Sequence, residues 1–297
     1  MKTLLGIVAI SVLSAQAQKP ALKAFDSPEA AAQAAIAAAE KNDTAALTAI
    51  FGTASKVILS SGDPAQDKQE MAEFVKVARS AHRIEKDPMN LHRVILDIGP
   101  DDWPFPVPIV EQGGKWSFDP YEGDLEVRAR RIGANEIDTI EDLAGFVDAQ
   151  RQYAEADRDG DGILEFARVI ANTPGKTDGL YSDKTGSPLL KVIADAELRP
   201  GKTKATPCHG YYFRVLESQG PHADGGAHQY LVDGKHMMAG FALVAWPAEY
   251  GVTGIHTFIV NQDGTVFEKD LGKPVSNLTA PVRTFDPDTT WAVADEN

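Results

Sequence analysis

Asp157-Arg158-Asp159-Gly160-Asp161-Gly162-Ile163-Leu164-Glu165 separates a helical pattern from a strand pattern. Upstream, Asn135 is placed to cap a helix with Ile137, Ile140, Ala144, Val147 and Ala154 on one face, widened by Leu143 and Phe146. Downstream, Gly210 to Leu216, Phe241 to Trp246, Ile255 to Val260 and Thr265 to Lys269 read as strands. Asn261-Gln262-Asp263-Gly264 supplies a tight hairpin between the last two. The acidic stretch itself matches the first half of an EF-hand loop. Asp157, Asp159 and Asp161 take positions one, three and five, Gly162 the sixth, the Ile163 carbonyl the seventh and Glu165 the ninth. These oxygens make calcium the expected cofactor. Arg168 stands at position twelve, where a bidentate Glu normally completes the shell, so a metal-free Asp-Gly turn is the competing reading.

The N-terminal half alternates differently. Ser27 as N-cap and Pro28 at the first helical position open an Ala-rich helix to about Lys41, and Thr44 to Phe51 forms a second. A strand is expected at Lys56 to Leu59. A third helix then starts at the capping-box spacing Asp63-Pro64-Ala65-Gln66 and runs to about Arg83. His92 to Ile98 alternates as a strand, and Val107 to Glu111, Gly113-Gly114 and Lys115 to Phe118 form a hairpin. Asp124 to Arg131 is expected to be a separate short helix. Helices followed by antiparallel strands, twice over, define an α+β chain. The expected organisation is a signal peptide at 1–17, a linker at 18–25, one α+β domain at 26–133 and a second at 134–297.

The 297 residues carry a formal net charge of −14, which excludes the clustered cationic surface that nucleic acid requires. Lys2, the apolar run Leu4 to Leu13 and the small-x-small Ala15-Gln16-Ala17 read as a secretory signal cleaved after Ala17. The expected location is therefore secreted or periplasmic. No later apolar stretch is long enough to span a bilayer, so no integral membrane segment is expected after cleavage. The single cysteine, Cys208, excludes an intrachain disulfide.

Gln150-Arg151-Gln152-Tyr153, Asp159-Gly160-Asp161-Gly162, Gly210-Tyr211-Tyr212-Phe213-Arg214 and Gly240 to Gly251 resemble the family catalogued as domain of unknown function 2950, found in secreted bacterial proteins. Gln219-Gly220-Pro221, Thr257 to Asn261 and Glu268 to Gly272 continue the resemblance. It implies no activity or catalytic residue. The helix ending at Tyr153 and the strands around Asn261 to Gly264 look remotely like the globular part of type IV pilins and pseudopilins. The first half, through its element order and Gly113 to Asp119, resembles the cone-shaped nuclear transport factor two fold. Together these likenesses imply a helix-covered curved antiparallel sheet followed by a pilin-like helix plus antiparallel sheet.

Candidate reactive groups are few. Glu249, between two apolar strands, is the catalytic candidate, acting as an acid or base with a nearby histidine. Cys208 beside His209 reads as a structural thiol, because neighbours in a strand point to opposite faces. Five of the seven histidines, His209, His222, His228, His236 and His256, lack zinc-site spacing and read as surface residues, as do His92, Asp97, Asp101 and Asp102. The expected function is a non-enzymatic cell-envelope interaction or accessory protein, its partner another envelope protein. The rivals are an envelope hydrolase using Glu249 and a small-ligand binder with an N-terminal pocket.

Overall fold

The computed structural model describes residues 22–59, 64–158, 160–181, 188–199, 204–274, 276 and 278–294, and the expected signal peptide lies outside them. The chain divides into two compact units, Met1–Val127 and Arg128–Asn297.

In the first unit, helices α1 (Pro28–Glu40), α2 (Thr44–Phe51), α3 (Ser55–Ile58) and α4 (Pro64–Ser80) precede strands β1 (His82–Lys86), β2 (Arg93–Ile98), β3 (Trp103–Pro104), β4 (Ile109–Gln112) and β5 (Lys115–Phe118). Ser27 caps α1 by accepting from Ala30 N, and Asp43 caps α2 through Ala46 N. The expected strand at Lys56 to Leu59 is instead the single turn of α3. Ser55 Oγ donates to the Gly52 carbonyl and the Leu59 N–H to Ser55 O, so local bonds take this short apolar run into a helix before any strand partner is reached. The capping residue expected at Asp63 lies outside the described residues.

The antiparallel sheet runs β1-β2-β4-β5, with β3 also paired to β2. Gly113 and Gly114, both at positive φ, close the β4–β5 hairpin. Small residues of α1 (Ala31, Ala32, Ala35) let Leu96, Ile109 and Phe118 pack close. Phe51 meets Phe118 edge to face at 4.8 Å, and Phe105 lies 5.5 Å from Phe74. Asp97 is buried, contrary to its surface reading. Arg83 Nη2 lies 3.1 Å away and gives the buried carboxylate an ion-pair partner.

Helix α5 (Pro120–Tyr153) is a single 34-residue helix, and the division between the units falls inside it. The separate helix at Asp124 to Arg131 and the cap at Asn135 are therefore corrected. Gly133 is exposed and leaves the helix intact, while Asn135 sends its side-chain amide to the Thr253 carbonyl at 2.8 Å. The sequence boundary at 133/134 sits a few residues along the helix from the division at Val127.

The second unit continues with β6 (Val169–Ala171), β7 (Gly179–Tyr181), α6 (Pro188–Ala196), β8 (Tyr211–Leu216), β9 (Ser218–Gln219), β10 (His228–Gln229), β11 (Leu231–Val232), β12 (His236–Met237), β13 (Ala242–Pro247), β14 (Thr257–Asn261), β15 (Phe267–Lys269) and β16 (Ala292–Val293). Its main sheet is antiparallel, in the order β16-β15-β14-β13-β8. Every residue of β13 and β14 is buried, so both faces of the sheet centre are covered. The unbroken apolar run Phe241 to Trp246 is the pattern that burial on both faces requires. Leu143, Phe146 and Val147 of α5 belong to this core, with Phe146 edge-on to Phe241 at 5.8 Å.

Gln150, fully buried on α5, closes the chain just after the acidic stretch. Its Nε2 donates to the Ala167 carbonyl at 2.7 Å and its Oε1 accepts from Ala167 N at 2.8 Å, as a neighbouring strand would. Gln150→Leu keeps the volume but leaves both Ala167 backbone groups buried without partners. Urea unfolding should show a loss of about 2–5 kcal/mol.

Candidate functional site

The buried stripe of α5 in the second unit carries polar side chains in register with its apolar ones. Glu136 is the most engaged. Its Oε1 accepts from Ile255 N (2.8 Å), His256 N (2.9 Å) and Tyr211 Oη (3.2 Å), and its Oε2 lies 3.1 Å from His256 Nδ1. Burial and the neighbouring Glu136 carboxylate raise the Tyr211 phenol far above its usual value, so it serves as a donor. Gly254 is required here, because a Cβ at that position would stand 2.0 Å from Tyr211 Oη.

Two turns further along α5, Asp142 is 99% buried and faces Cys208 and His209. Cys208 and His209 are not strand neighbours, so the expectation that their side chains diverge is corrected. Cys208 and Tyr211 exchange both backbone hydrogen bonds, which leaves His209 and Gly210 as a two-residue turn at φ 45° and 74°. That turn brings both side chains onto Asp142. The Cys208 thiol donates to Asp142 Oδ2 at 3.3 Å, His209 Nδ1 lies 3.1 Å from the same oxygen, and sulfur and nitrogen are 3.6 Å apart. Burial, then the charge of Asp142, pushes the Cys208 thiol well above its ordinary value, and burial raises Asp142 as well. The thiol is held protonated at neutral pH, the opposite of an activated nucleophile.

The acidic loop is organised by its own backbone and by the β11–β12 hairpin. Asp157 accepts from Gly160 N at 2.7 Å and Gly162 N at 2.9 Å, while Asp161 Oδ1 accepts from Ile163 N at 2.9 Å. The other Asp161 oxygen meets His236 Nε2 at 3.0 Å, and Asp233 meets the opposite ring nitrogen at 3.3 Å. Glu165 accepts from Met237 N at 3.2 Å. Asp159 lies outside the described residues. Arg168, at the closing EF-hand position, turns instead to Glu217 at 2.8 Å. Among the described residues, the His, Cys, Asp and Glu side chains whose donor atoms converge tightly enough for a metal are Asp142, Cys208 and His209.

Beside the loop lies a groove of about 560 Å³, lined by Glu165, Arg168, Lys176, Asp178, Glu217 and Lys235 among others. Arg168 Nε is buried there without a hydrogen-bond partner. A shallower groove of about 500 Å³ in the first unit lies along Ala39, Lys68, Met71 and Val75. Glu249 is exposed in a turn closed by Thr253, whose hydroxyl accepts from Glu249 N at 3.0 Å. His256, in the same connection before β14, is paired with Glu136. The surface reading of His236 is corrected, since only 8% of it is exposed, between its two aspartates. His222 pairs with Asp286 at 3.0 Å, and His228 bonds the carbonyls of Gly226 and Ala239.

Glu136 and Asp142 were missed by the sequence reading. A usable signal was present: polar residues at 136, 139 and 150 share the helical stripe of Leu143, Phe146 and Val147, where only a satisfied polar group survives burial. For Cys208 and His209 the signal was the His209-Gly210 pair, a turn dipeptide in front of a strand.

With helices and antiparallel sheets in both units, the protein is of the α+β class. The family described as "Protein of unknown function (DUF2950)" matches residues 22–294, and the chain belongs to it. No curated protein matches the chain. No solved structure matches either, and the pilin and cone likenesses are not confirmed. Among the described residues no helix is long and apolar enough to cross a membrane.

The suppressed thiol has a direct measure. In metal-free native protein, alkylation of Cys208 at pH 8 should be at least about 100-fold slower than in urea, because burial restricts access and keeps the thiolate scarce. Equal rates in the two states would contradict the buried geometry.

Proposed function

We propose that the chain is a secreted or periplasmic accessory protein of the cell envelope that works by binding, not by turnover, and that its ligand or protein partner presents a carboxylate to the groove beside the acidic loop. The observation that carries this reading is Arg168 in the groove lining: its Nη2 pairs with Glu217 and its Nη1 reaches the Lys235 carbonyl at 3.4 Å, while its Nε is buried without an acceptor. A guanidinium with one donor still unsatisfied favours an anionic acceptor such as a carboxylate. Lys176 and Lys235 line the same groove, whose volume falls in the range of small-ligand sites. The alternative, hydrolysis through Glu249, finds less support, since that residue is exposed in a turn and the nearby His256 serves Glu136.

An acidic tripeptide at millimolar concentration is a suitable probe. It should raise the Tm by about 2 °C or more, and the rise should disappear in Arg168→Ala/Lys235→Ala. An unchanged Tm in the original protein, or an equal rise in the double variant, would retire the groove reading.

The same proposal assigns calcium a structural use in the 157–165 loop. What favours it is that Asp157 already gathers Gly160 N and Gly162 N, with both glycines at positive φ, drawing the loop into a tight turn. What opposes it is the engagement of Asp161 with His236. Calorimetry of chelator-treated protein decides between them. Calcium binding should release or absorb heat that vanishes in Asp157→Asn/Asp161→Asn, and a flat titration at millimolar calcium removes the ion from the proposal.

A further inference from the structure

Asp142, Cys208 and His209 bring one oxygen, one sulfur and one nitrogen together at a site unrelated to the groove. We infer that these three side chains form a binding site for a divalent cation of the zinc class, with tetrahedral geometry and a fourth position open to solvent.

The first argument is metric. Metal–ligand lengths of about 2.3 Å to sulfur, 2.0–2.1 Å to nitrogen and 2.0 Å to oxygen fix the edges of a tetrahedron at about 3.6 Å for S–N, 3.5 Å for S–O and 3.3 Å for N–O. The separations here are 3.6 Å for Cys208 Sγ to His209 Nδ1, 3.3 Å for Sγ to Asp142 Oδ2 and 3.1 Å for Nδ1 to Oδ2. One face of the coordination tetrahedron is thus nearly at its final size. A cation would enter with shifts of a few tenths of an ångström and no change of backbone.

The second argument is chemical. A mixed thiolate, imidazole and carboxylate set suits zinc or cobalt(II) and is poor for calcium or magnesium, which take oxygen ligands in larger number. The charges also close. Asp142 and Asp138, one helical turn apart, both place negative charge against Cys208. A divalent cation balances the Asp142 carboxylate and a Cys208 thiolate, and the thiol proton leaves to solvent as the metal–sulfur bond forms. Without the cation, that proton is what joins Cys208 to Asp142.

The third argument is structural. The site is closed behind and open in front: the Asp142 side chain is 2% exposed and that of His209 is 41% exposed. Three protein ligands with one accessible position is the arrangement of zinc sites that bind water or an exchangeable ligand. His209 also occupies the left-handed region at φ 45°, which Gly or Asn would fill with less strain. An imidazole there serves the site and not the turn.

Cobalt(II) titration of the chelator-treated full chain provides the test. One equivalent should give visible d–d absorption of tetrahedral intensity and a near-ultraviolet thiolate-to-cobalt charge-transfer band, both displaced by zinc. Cys208→Ser should abolish the charge-transfer band. His209→Gly suits the positive φ and keeps the turn, so it should remain folded by circular dichroism yet bind at least about tenfold more weakly. Asp157→Asn/Asp161→Asn should leave the band unchanged, which separates this site from the acidic loop. Absence of a thiolate band at excess cobalt, or an unaltered affinity in folded His209→Gly, would overturn the inference.

Discussion

Glu136 on α5 accepts four donors, from Ile255, His256 and Tyr211, and this one carboxylate ties the helix of the second unit to the entry of β14 and the start of β8. Asp142 and Gln150 repeat the device at Cys208–His209 and at Ala167. Apolar packing alone would let a helix slide over a sheet, since dispersion contacts are weak and without direction. Buried polar groups behave differently, because each lost partner costs about 1–3 kcal/mol, so they hold the register between helix and loops. The irregular segments that connect the buried strands of this unit are thereby given defined positions.

The same economy governs charge. An acidic chain has many carboxylates to partner, and here several of them face imidazoles. Of the five histidines between 209 and 256, His209, His222, His236 and His256 each lie against a carboxylate. Arginines do the same in the first unit, where Arg93 bridges Asp87 and Glu122, and Arg93 beside Asp87 holds that carboxyl below its usual range. Arg168 departs from this pattern among the described residues, since its Nε is buried without an acceptor.

The acidic loop and the Asp142 site illustrate two ways of presenting oxygen ligands. In the loop, Asp157 and Asp161 are folded onto backbone N–H groups, and Asp161 also onto His236, so their oxygens hold local structure. At Asp142 the carboxylate comes from a rigid helix and the other donors from Cys208 and the turn residue His209, 66 and 67 positions away. Rigid elements that meet from different parts of the chain preorganise a small polyhedron better than one short loop does.

Local order was legible in the residues. Periodicity and caps located α1 and α2, turn dipeptides located the β4–β5 hairpin and the turn after β14, and the apolar run Phe241 to Trp246 located β13. Those features depend on interactions a few residues apart, so the sequence alone determines them, as it determines the α+β class and family membership. What it left open involves partners far along the chain. Helix α5 ran through Gly133, with Asn135 bonded to the distant Thr253 carbonyl. Asp142 found its purpose only when the His209-Gly210 turn delivered Cys208 and His209 to it. Tertiary structure decided these because a buried polar side chain has meaning only through the group that satisfies it, and no spacing rule specifies a partner sixty or more residues away.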